Sequence, residues 1–560
     1  MTTGLERLTR PRLRVRLSGG GSTEVGDVPV TGSGPVEVGG LTVEIGDLDD
    51  GWTWSAAASG GDVAVDAVAL VWDDDLPEGT PVFRHGYQSW SPSDVARLAV
   101  DRDPSATPGT RTLVRGMHHA DARVVDDPHE LRSELVTVHG RRPGGSARRL
   151  GFLGGDRHDG TFRFRPADER VEISAEAYLG GALLRRGERL DLHPVSVVDG
   201  AREHAAALLE DWAESAGAAC GARTAAPYQV GWCSWYQWFH DVSEADVRRT
   251  LDLAAGWPFD VFQVDDGYQP AIGDWLTTND RFPSPLADLA GTITATARTA
   301  GIWMAPFFAS PRSDVARRHP EWLARWHDGE PLVGTVNDGW GGAVHVLDTT
   351  RPDVLDHLEG TAAALVAAGY RYLKLDFMYA ATLPGRFADA AATPARRVRA
   401  GLDALRRGAG DDIFLLGCGL PLGPGIGSVD GMRVGPDVAP WWEPAQRPAA
   451  LAGYEGSQPA TANAWRSTVA RAFQHRRLWL NDPDCLMLRT TDTRLTAGEV
   501  RSWADTVAES GGMAIVSDDL ALLGRAERAL LDEVVTRGRE VDSAARTGPA
   551  PRLSPDHLLL

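Results

Sequence analysis

The stretch YRYLKLDFMY, residues 370–379, places a lysine and an aspartate two apart inside an otherwise apolar run. Side chains alternate along a strand, so Lys374 and Asp376 share one face while Leu373 and Leu375 share the other. In a strand covered on both sides the leucines meet a layer of helices, and the charged pair faces an interior. That is the geometry of a barrel mouth, where the reactive groups of a (β/α)8 enzyme project from the C-terminal ends of the strands. A cation beside a buried carboxylate favours its ionised form, so Lys374 is expected to hold Asp376 charged. A structural ion pair capping the barrel accounts for this strand equally well when the strand is taken alone.

The surrounding sequence extends the barrel reading. From 228 onward short apolar runs alternate with amphipathic stretches such as EADVRRTLDLAAGW and VLDHLEGTAAALVAAG, the pattern of βα units. Eight strands are expected, within 228–235, 259–268, 301–308, 372–378, 413–420, 432–438, 478–485 and 513–519. Upstream, RLRVRLS, LTVEIG and TFRFR alternate apolar with polar residues between Gly, Pro and Asp clusters, which predicts an all-β sandwich. At 560 residues the chain exceeds what one core supports. The expected division is a β-sandwich over 1–200, a helical linker over 201–220, a catalytic barrel over 221–520, and a short C-terminal helix and tail over 521–560.

A formal net charge of −20 without a Lys/Arg-rich run argues against nucleic acid as a partner. The first residues, MTTGLERLTRPRLRVRLSGG, lack an apolar signal core, and no stretch offers 18 uninterrupted apolar residues, so a cytoplasmic protein without a membrane partner is expected. Cys220, Cys233, Cys418 and Cys485 form no CxxC pair and read as free thiols. Nineteen tryptophans are an unusual number; such large flat side chains fill cores, the reading that suits most of them, or stack against ligands such as sugar rings.

Polar and aromatic residues collect at the expected strand ends: Trp235, Asp265, Asp266, Trp303, Asp376, Cys418, Asp437, Asp482 and Asp484. In MRVGPDV, strand parity puts Arg433 and Asp437 on one face, with Trp441 and Trp442 just beyond. A carboxyl among aromatic surfaces and facing another negative charge has its pKa raised, which makes Asp437 a candidate proton donor; a Pro-centred turn is the competing reading. Two carboxylates tuned in opposite directions are the equipment of a glycosidase. Asp265 and Asp266 in QVDDGY can accept sugar hydroxyls or form an Asx turn. Trp235 and Trp303 suit a pyranose face or a core. Cys418 suits a small buried side chain, NDPDC suits a Pro-centred turn before it suits a hydroxyl contact through Asp482, and His240 suits a loop near a helix start.

QVDDGYQPAIGDW, GIWMAPFFASP, YLKLDF, LGCGLPLG, MRVGPDVAPWW and LWLNDPDCLMLR, in this order, resemble glycoside hydrolase family 36, the melibiase-type α-galactosidases, and FRHGYQSWSPSD resembles the loop that the family's first domain lends to the active site. The resemblance implies an N-terminal β-supersandwich followed by a (β/α)8 TIM barrel, here with a short or vestigial C-terminal segment. It implies a retaining exo-hydrolase of terminal α-galactosyl residues with Asp376 as nucleophile and Asp437 as acid/base. Asp265 and Asp266 would hold the 4- and 6-hydroxyls and Lys374 the 3- and 4-hydroxyls. Arg433 and Cys418 would lie near the 2-hydroxyl, with Trp303, Trp235 and Trp90 as apolar walls. The expected partner is a small glycoside or oligosaccharide, with no cofactor or metal, and the oligomeric state stays open. Alternatives are an α-N-acetylgalactosaminidase, a β-L-arabinopyranosidase, a galactosyl transferase, a metal-dependent barrel hydrolase or a non-catalytic sugar-binding protein.

Overall fold

The computed structural model describes residues 11–18, 23–30, 34–108, 110–140, 145–167, 170–444, 453–551 and 553. Eight parallel strands form the second half: β1 (Val230–Cys233), β2 (Val261–Val264), β3 (Thr299–Met304), β4 (Tyr372–Leu375), β5 (Phe414–Gly417), β6 (Gly431–Arg433), β7 (Leu480–Asp482) and β8 (Ala514–Val516). They pair in the order β7-β6-β5-β4-β3-β2-β1-β8. The ring closes just beyond β7, where Leu486 bridges Val516 in parallel, its N–H donating to Ile515 O at 2.6 Å. Each expected strand segment contains or overlaps one of these eight. The observed strands are shorter, because the chain leaves the ladder as soon as it reaches the polar mouth.

Helices cover the barrel's outside, which is why its strands read as nearly unbroken apolar runs. Their ends are written locally. The helix Ala497–Ser510 begins at a reciprocal capping box between Thr496 and Glu499 and stops at Gly511, in the left-handed region at φ 63°. Between β3 and β4 the chain also makes a small antiparallel sheet from Phe308–Ala309, Val333–Asn337 and Gly342–Val346. After β8 the helix Arg525–Ala545 packs Leu531, Val534 and Val535 into the barrel's core.

The N-terminal region forms a six-stranded and a nine-stranded sheet around a separate core that includes Trp52, Trp54 and Trp72. The strand Leu41–Leu48 shows the alternation that builds it, with Leu41, Val43 and Ile45 buried and Glu44 exposed. The helix Ala205–Cys220 connects this region to the barrel, and its Trp212 donates from Nε1 to Phe152 O at 2.8 Å. Among the described residues no helix is long and apolar enough to cross a membrane.

Candidate active site

A pocket of about 200 Å³ opens at the C-terminal ends of the barrel strands. It gathers eight residues expected from the sequence: Trp90, Trp235, Asp265, Asp266, Trp303, Lys374, Asp376 and Asp437. Cys418 and Arg433 are buried and do not line it. Nor do Trp441 and Trp442, the expected aromatic neighbours of Asp437; the Trp441 indole donates to Pro459 O at 3.0 Å instead. A larger cavity of about 760 Å³ lies between the N-terminal nine-stranded sheet and the barrel helix Pro394–Ala409, lined by Trp54, His193 and Arg399 among others, away from the strand ends.

Asp376 follows β4 directly. Its backbone N–H donates to Met304 O at 2.8 Å, which holds it in the sheet's register. Its Oδ2 accepts from Trp303 Nε1 at 2.9 Å and its Oδ1 from the Phe377 N–H at 2.8 Å. Trp303 is therefore a hydrogen-bond donor as well as a wall, and the β3–β4 register, which sets Trp303 opposite Lys374, delivers it there. Phe377 sits at φ 56°, a conformation that bulky residues rarely adopt. This turn brings its N–H back onto the carboxylate, so backbone strain stands next to the candidate nucleophile, as functional sites often show.

Lys374 corrects the sequence expectation. Its Nζ donates to Asp265 Oδ2 at 2.8 Å, so its direct partner is the aspartate past β2 and not Asp376. Burial depresses this ammonium more than any single neighbour raises it; the Asp265 and Asp376 charges act together against burial and Arg433 and hold the pKa well above the usual lysine value. Asp265 also accepts from Gln263 Nε2 and, on Oδ1, from the Asp266 N–H at 2.9 Å. Asp266 in turn accepts from Trp340 Nε1 at 2.7 Å and Gln269 Nε2 at 2.6 Å, and faces His240 Nδ1 at 3.1 Å. The hydrogen bond to Asp266 raises the His240 pKa. His240 is thus a partner of the pocket's acidic pair, where the sequence suggested only a loop residue.

Removing one member of a buried ion pair leaves the other charge unpaired, at a cost of about 3–5 kcal/mol. Lys374→Met is therefore expected to lower the thermal midpoint by that equivalent, and adding Asp265→Asn should restore most of the loss. An unchanged midpoint in the single variant would show that the pair contributes nothing.

Asp437 lies four residues past β6 and accepts from Arg433 Nη1 at 2.9 Å. Arg433 is shared, since its Nε meets Asp482 at 3.2 Å and its Nη2 meets Asp484 at 2.8 Å. Burial pushes the Asp437 carboxyl up; Arg433 opposes this, Asp484 and Asp376 reinforce it, and the result stands at about 7. With 34% of its side chain open to the pocket, water screens part of that push, and a molecule filling the pocket would remove the screening. The NDPDC turn positions this segment: Asp484, at φ 87°, accepts from the Val438 N–H at 2.9 Å and from the Tyr236 hydroxyl.

Sequence reasoning missed Trp340, Thr335 and Asn337, which reach the pocket from the small sheet between β3 and β4. The signal was there: NDG at 337–339 between two alternating runs is a hairpin signature. Phe377 and Gly419 hold the other wall. Gly419 has φ 52°, and a Cβ there would stand 2.9 Å from the Trp90 ring, so a side chain at that position would displace the wall.

Fold and pocket define a class, the (β/α)8-barrel proteins whose mouth carries facing carboxylates between tryptophan walls. Residues 228–393 match the melibiase family. The α-galactosidase TtGalA from Thermus thermophilus, solved in complex with p-nitrophenyl α-D-galactopyranoside, is 30% identical over 88% of this chain and 95% of that one, with a TM-score of 0.69. The chain belongs to glycoside hydrolase family 36, the melibiase-type α-galactosidase family. Alpha-galactosidase AgaA from Geobacillus stearothermophilus is 26% identical over 151 residues, which is 26% of this chain and 20% of that protein. The matched stretch thus spans about a fifth of the length of such curated relatives. The AgaA crystal structure, 14% identical and covering 99% of this chain and 79% of that one with a TM-score of 0.63, has the same fold.

Proposed function

We propose that this protein is a retaining exo-α-galactosidase that removes terminal α-galactosyl residues from galactosides and galacto-oligosaccharides. The observation that carries the reading is the pairing in one monosaccharide-sized pocket of Asp376, which accepts two N–H bonds, with Asp437, whose carboxyl is pushed up to about 7. Among relatives, TtGalA was solved with p-nitrophenyl α-D-galactopyranoside and with stachyose, and a GH36 AgaA variant with raffinose. Such glycosides are the proposed substrates here.

In the first step a carboxylate oxygen of Asp376 attacks the anomeric carbon while Asp437 gives its proton to the glycosidic oxygen. The C–O bond breaks, the aglycone leaves as an alcohol, and a galactosyl ester remains. In the second step Asp437, now ionised, takes a proton from water, whose oxygen attacks the same carbon and releases Asp376. The Trp303 and Phe377 N–H groups hold the Asp376 carboxylate and stabilise it as it is released. Lys374, Asp265 and Asp266 are proposed to bind the sugar hydroxyls, and Trp90, Trp235 and Trp303 to wall the ring. Cytoplasmic location belongs to the same proposal; it accords with four free cysteines and is tested by cell fractionation.

Two inversions give net retention, so the first galactose released from an aryl α-galactoside is expected to be the α-anomer in a proton NMR time course. First appearance of the β-anomer would sink the mechanism. Aryl glycosides altered at the 2- and 6-positions test the related specificities: faster turnover of the 2-acetamido or β-L-arabino substrate would replace galactose as the preferred glycone.

A further inference from the structure

Trp90 reaches the pocket on a loop, Gly86–Ser93, that belongs to the N-terminal region. Its ring packs edge-on against Phe377 at 4.9 Å, one residue beyond Asp376. Short backbone contacts join this loop to the barrel: Ser89 N–H donates to Leu420 O at 3.3 Å and Leu422 N–H to Tyr87 O at 3.0 Å. The main attachment is one side chain, Arg471, which follows the helix Thr461–Ala470 and is 0% exposed.

Every nitrogen of its guanidinium is used. Nε donates to Ser93 Oγ at 3.0 Å, and Nη1 to Ser89 O at 2.6 Å and Val434 O at 3.0 Å. Nη2 donates to Ser91 O at 2.7 Å, Gln88 O at 3.1 Å and Gly86 O at 3.3 Å. All six acceptors are neutral, so carbonyl and hydroxyl dipoles alone face the buried charge, and burial pushes the group's pKa down to about 9. The loop is shaped for this contact. A Cβ on Gly86 would stand 2.4 Å from Ser91 O and 2.7 Å from Arg471 Nη2, so only glycine lets the carbonyls converge. Asn481 of β7 fixes the other end by donating to Arg471 O at 3.2 Å.

Two of these partners bear on the chemistry. Val434 immediately follows β6 and lies three residues before Asp437, while Ser89 and Ser91 flank Trp90. We propose that Arg471 is a positioning residue for the sugar: by binding the carbonyls around Trp90 and the Val434 carbonyl with one planar fork, it fixes the Trp90 wall relative to the segment that carries Asp437. The inference rests on the galactoside-pocket reading above.

Lysine keeps the charge but presents three donors from a single point, so it cannot bridge carbonyls on two segments. Arg471→Lys is expected to raise KM for an aryl α-galactoside by about 10- to 100-fold, the scale of a wall displaced by about 1 Å, with a smaller change in kcat. Trp90→Ala should raise KM comparably. Because Arg471 acts through Trp90, Arg471→Lys on the Trp90→Ala background should add less than about twofold. Effects that multiply in the double variant, or an unchanged KM in Arg471→Lys, would overturn the proposal. If Arg471→Lys does not fold, Ser93→Ala removes the Nε acceptor, along with the acceptor of the Gly86 N–H in the same loop at 3.0 Å, and enters the same cycle with a smaller factor; multiplication there counts equally against it. Hydrogen exchange separates this inference from the functional reading. The Ser89 and Ser91 amides should exchange faster in Arg471→Lys, and unchanged protection would remove the clamp even if the wild type turned over no galactoside. Absent turnover with faster exchange would instead count against the galactoside reading alone.

Discussion

Asp376→Ala is expected to lower kcat for an aryl α-galactoside by at least about 10⁴-fold, the scale seen when a covalent nucleophile is lost while binding groups remain. The expectation follows from what surrounds the carboxylate. Trp303 and the Phe377 N–H each donate to one of its oxygens, and its own N–H is fixed to Met304 O, so the carboxylate is held in one position at the pocket floor. The substitution leaves a small space at the floor of the pocket with the Trp303 indole still pointing into it. Added azide should occupy that space and attack the anomeric carbon from the same side, giving β-galactosyl azide with an aryl leaving group. Rescue of this kind separates a missing nucleophile from a distorted pocket, because an anion cannot repair general misfolding. Residual turnover above about 1% of wild type without azide would remove Asp376 from the role.

How this site could be read in advance depended on which contacts lie along one strand and which lie across the barrel. Strand parity placed Lys374 and Asp376 in the mouth and Leu373 and Leu375 in the core, and both leucines are 0% exposed. Parity says nothing about which inward residue meets which. Lys374 on β4 reaches Asp265 past β2, with β3 between them, because inward side chains from alternate strands meet at the barrel axis. The same limit applies to Asp437. Aromatic surfaces and a facing negative charge are both expected to raise its pKa; burial and the charges of Asp484 and Asp376, just past β7 and β4, do so, while Trp441 and Trp442 stay outside the pocket. Trp340 is hidden for another reason: it sits on an excursion between β3 and β4, outside the βα repeat that marks the barrel. Trp90 was reached only through the resemblance of FRHGYQSWSPSD to a family motif, since no local pattern indicates that a loop will cross to another part of the chain. Arg471, just past the helix Thr461–Ala470 and one of four arginines between 466 and 477, carries no sequence signal that sets it apart, because five of its six acceptors are backbone carbonyls.

Asp437→Ala should divide substrates by their leaving groups. A general acid contributes about 10²–10⁴-fold where the leaving oxygen needs a proton. Release of an oligosaccharide alcohol, as from raffinose, needs one; release of p-nitrophenolate does not. The variant is therefore expected to lose about 10³-fold or more on raffinose while formation of the galactosyl ester from the aryl substrate falls far less. Equal losses on both would assign the proton to another group. The pH profile supplies a second check. Asp437 acts in the first step as the acid, so wild-type kcat/KM should fall as pH rises through about 7, and this alkaline limb should vanish in Asp437→Asn. Stability should follow the same group with a definite sign. The folded state holds this proton more tightly than an ordinary carboxylate does, so between about pH 4 and pH 7 the unfolded chain binds fewer protons and stability declines as pH rises. The wild-type thermal midpoint should accordingly fall more steeply across that window than the midpoint of Asp437→Asn. A parallel pair of curves would mean that the carboxyl titrates as an ordinary carboxylate in the free enzyme, and would count against Asp437 as the group behind the alkaline limb.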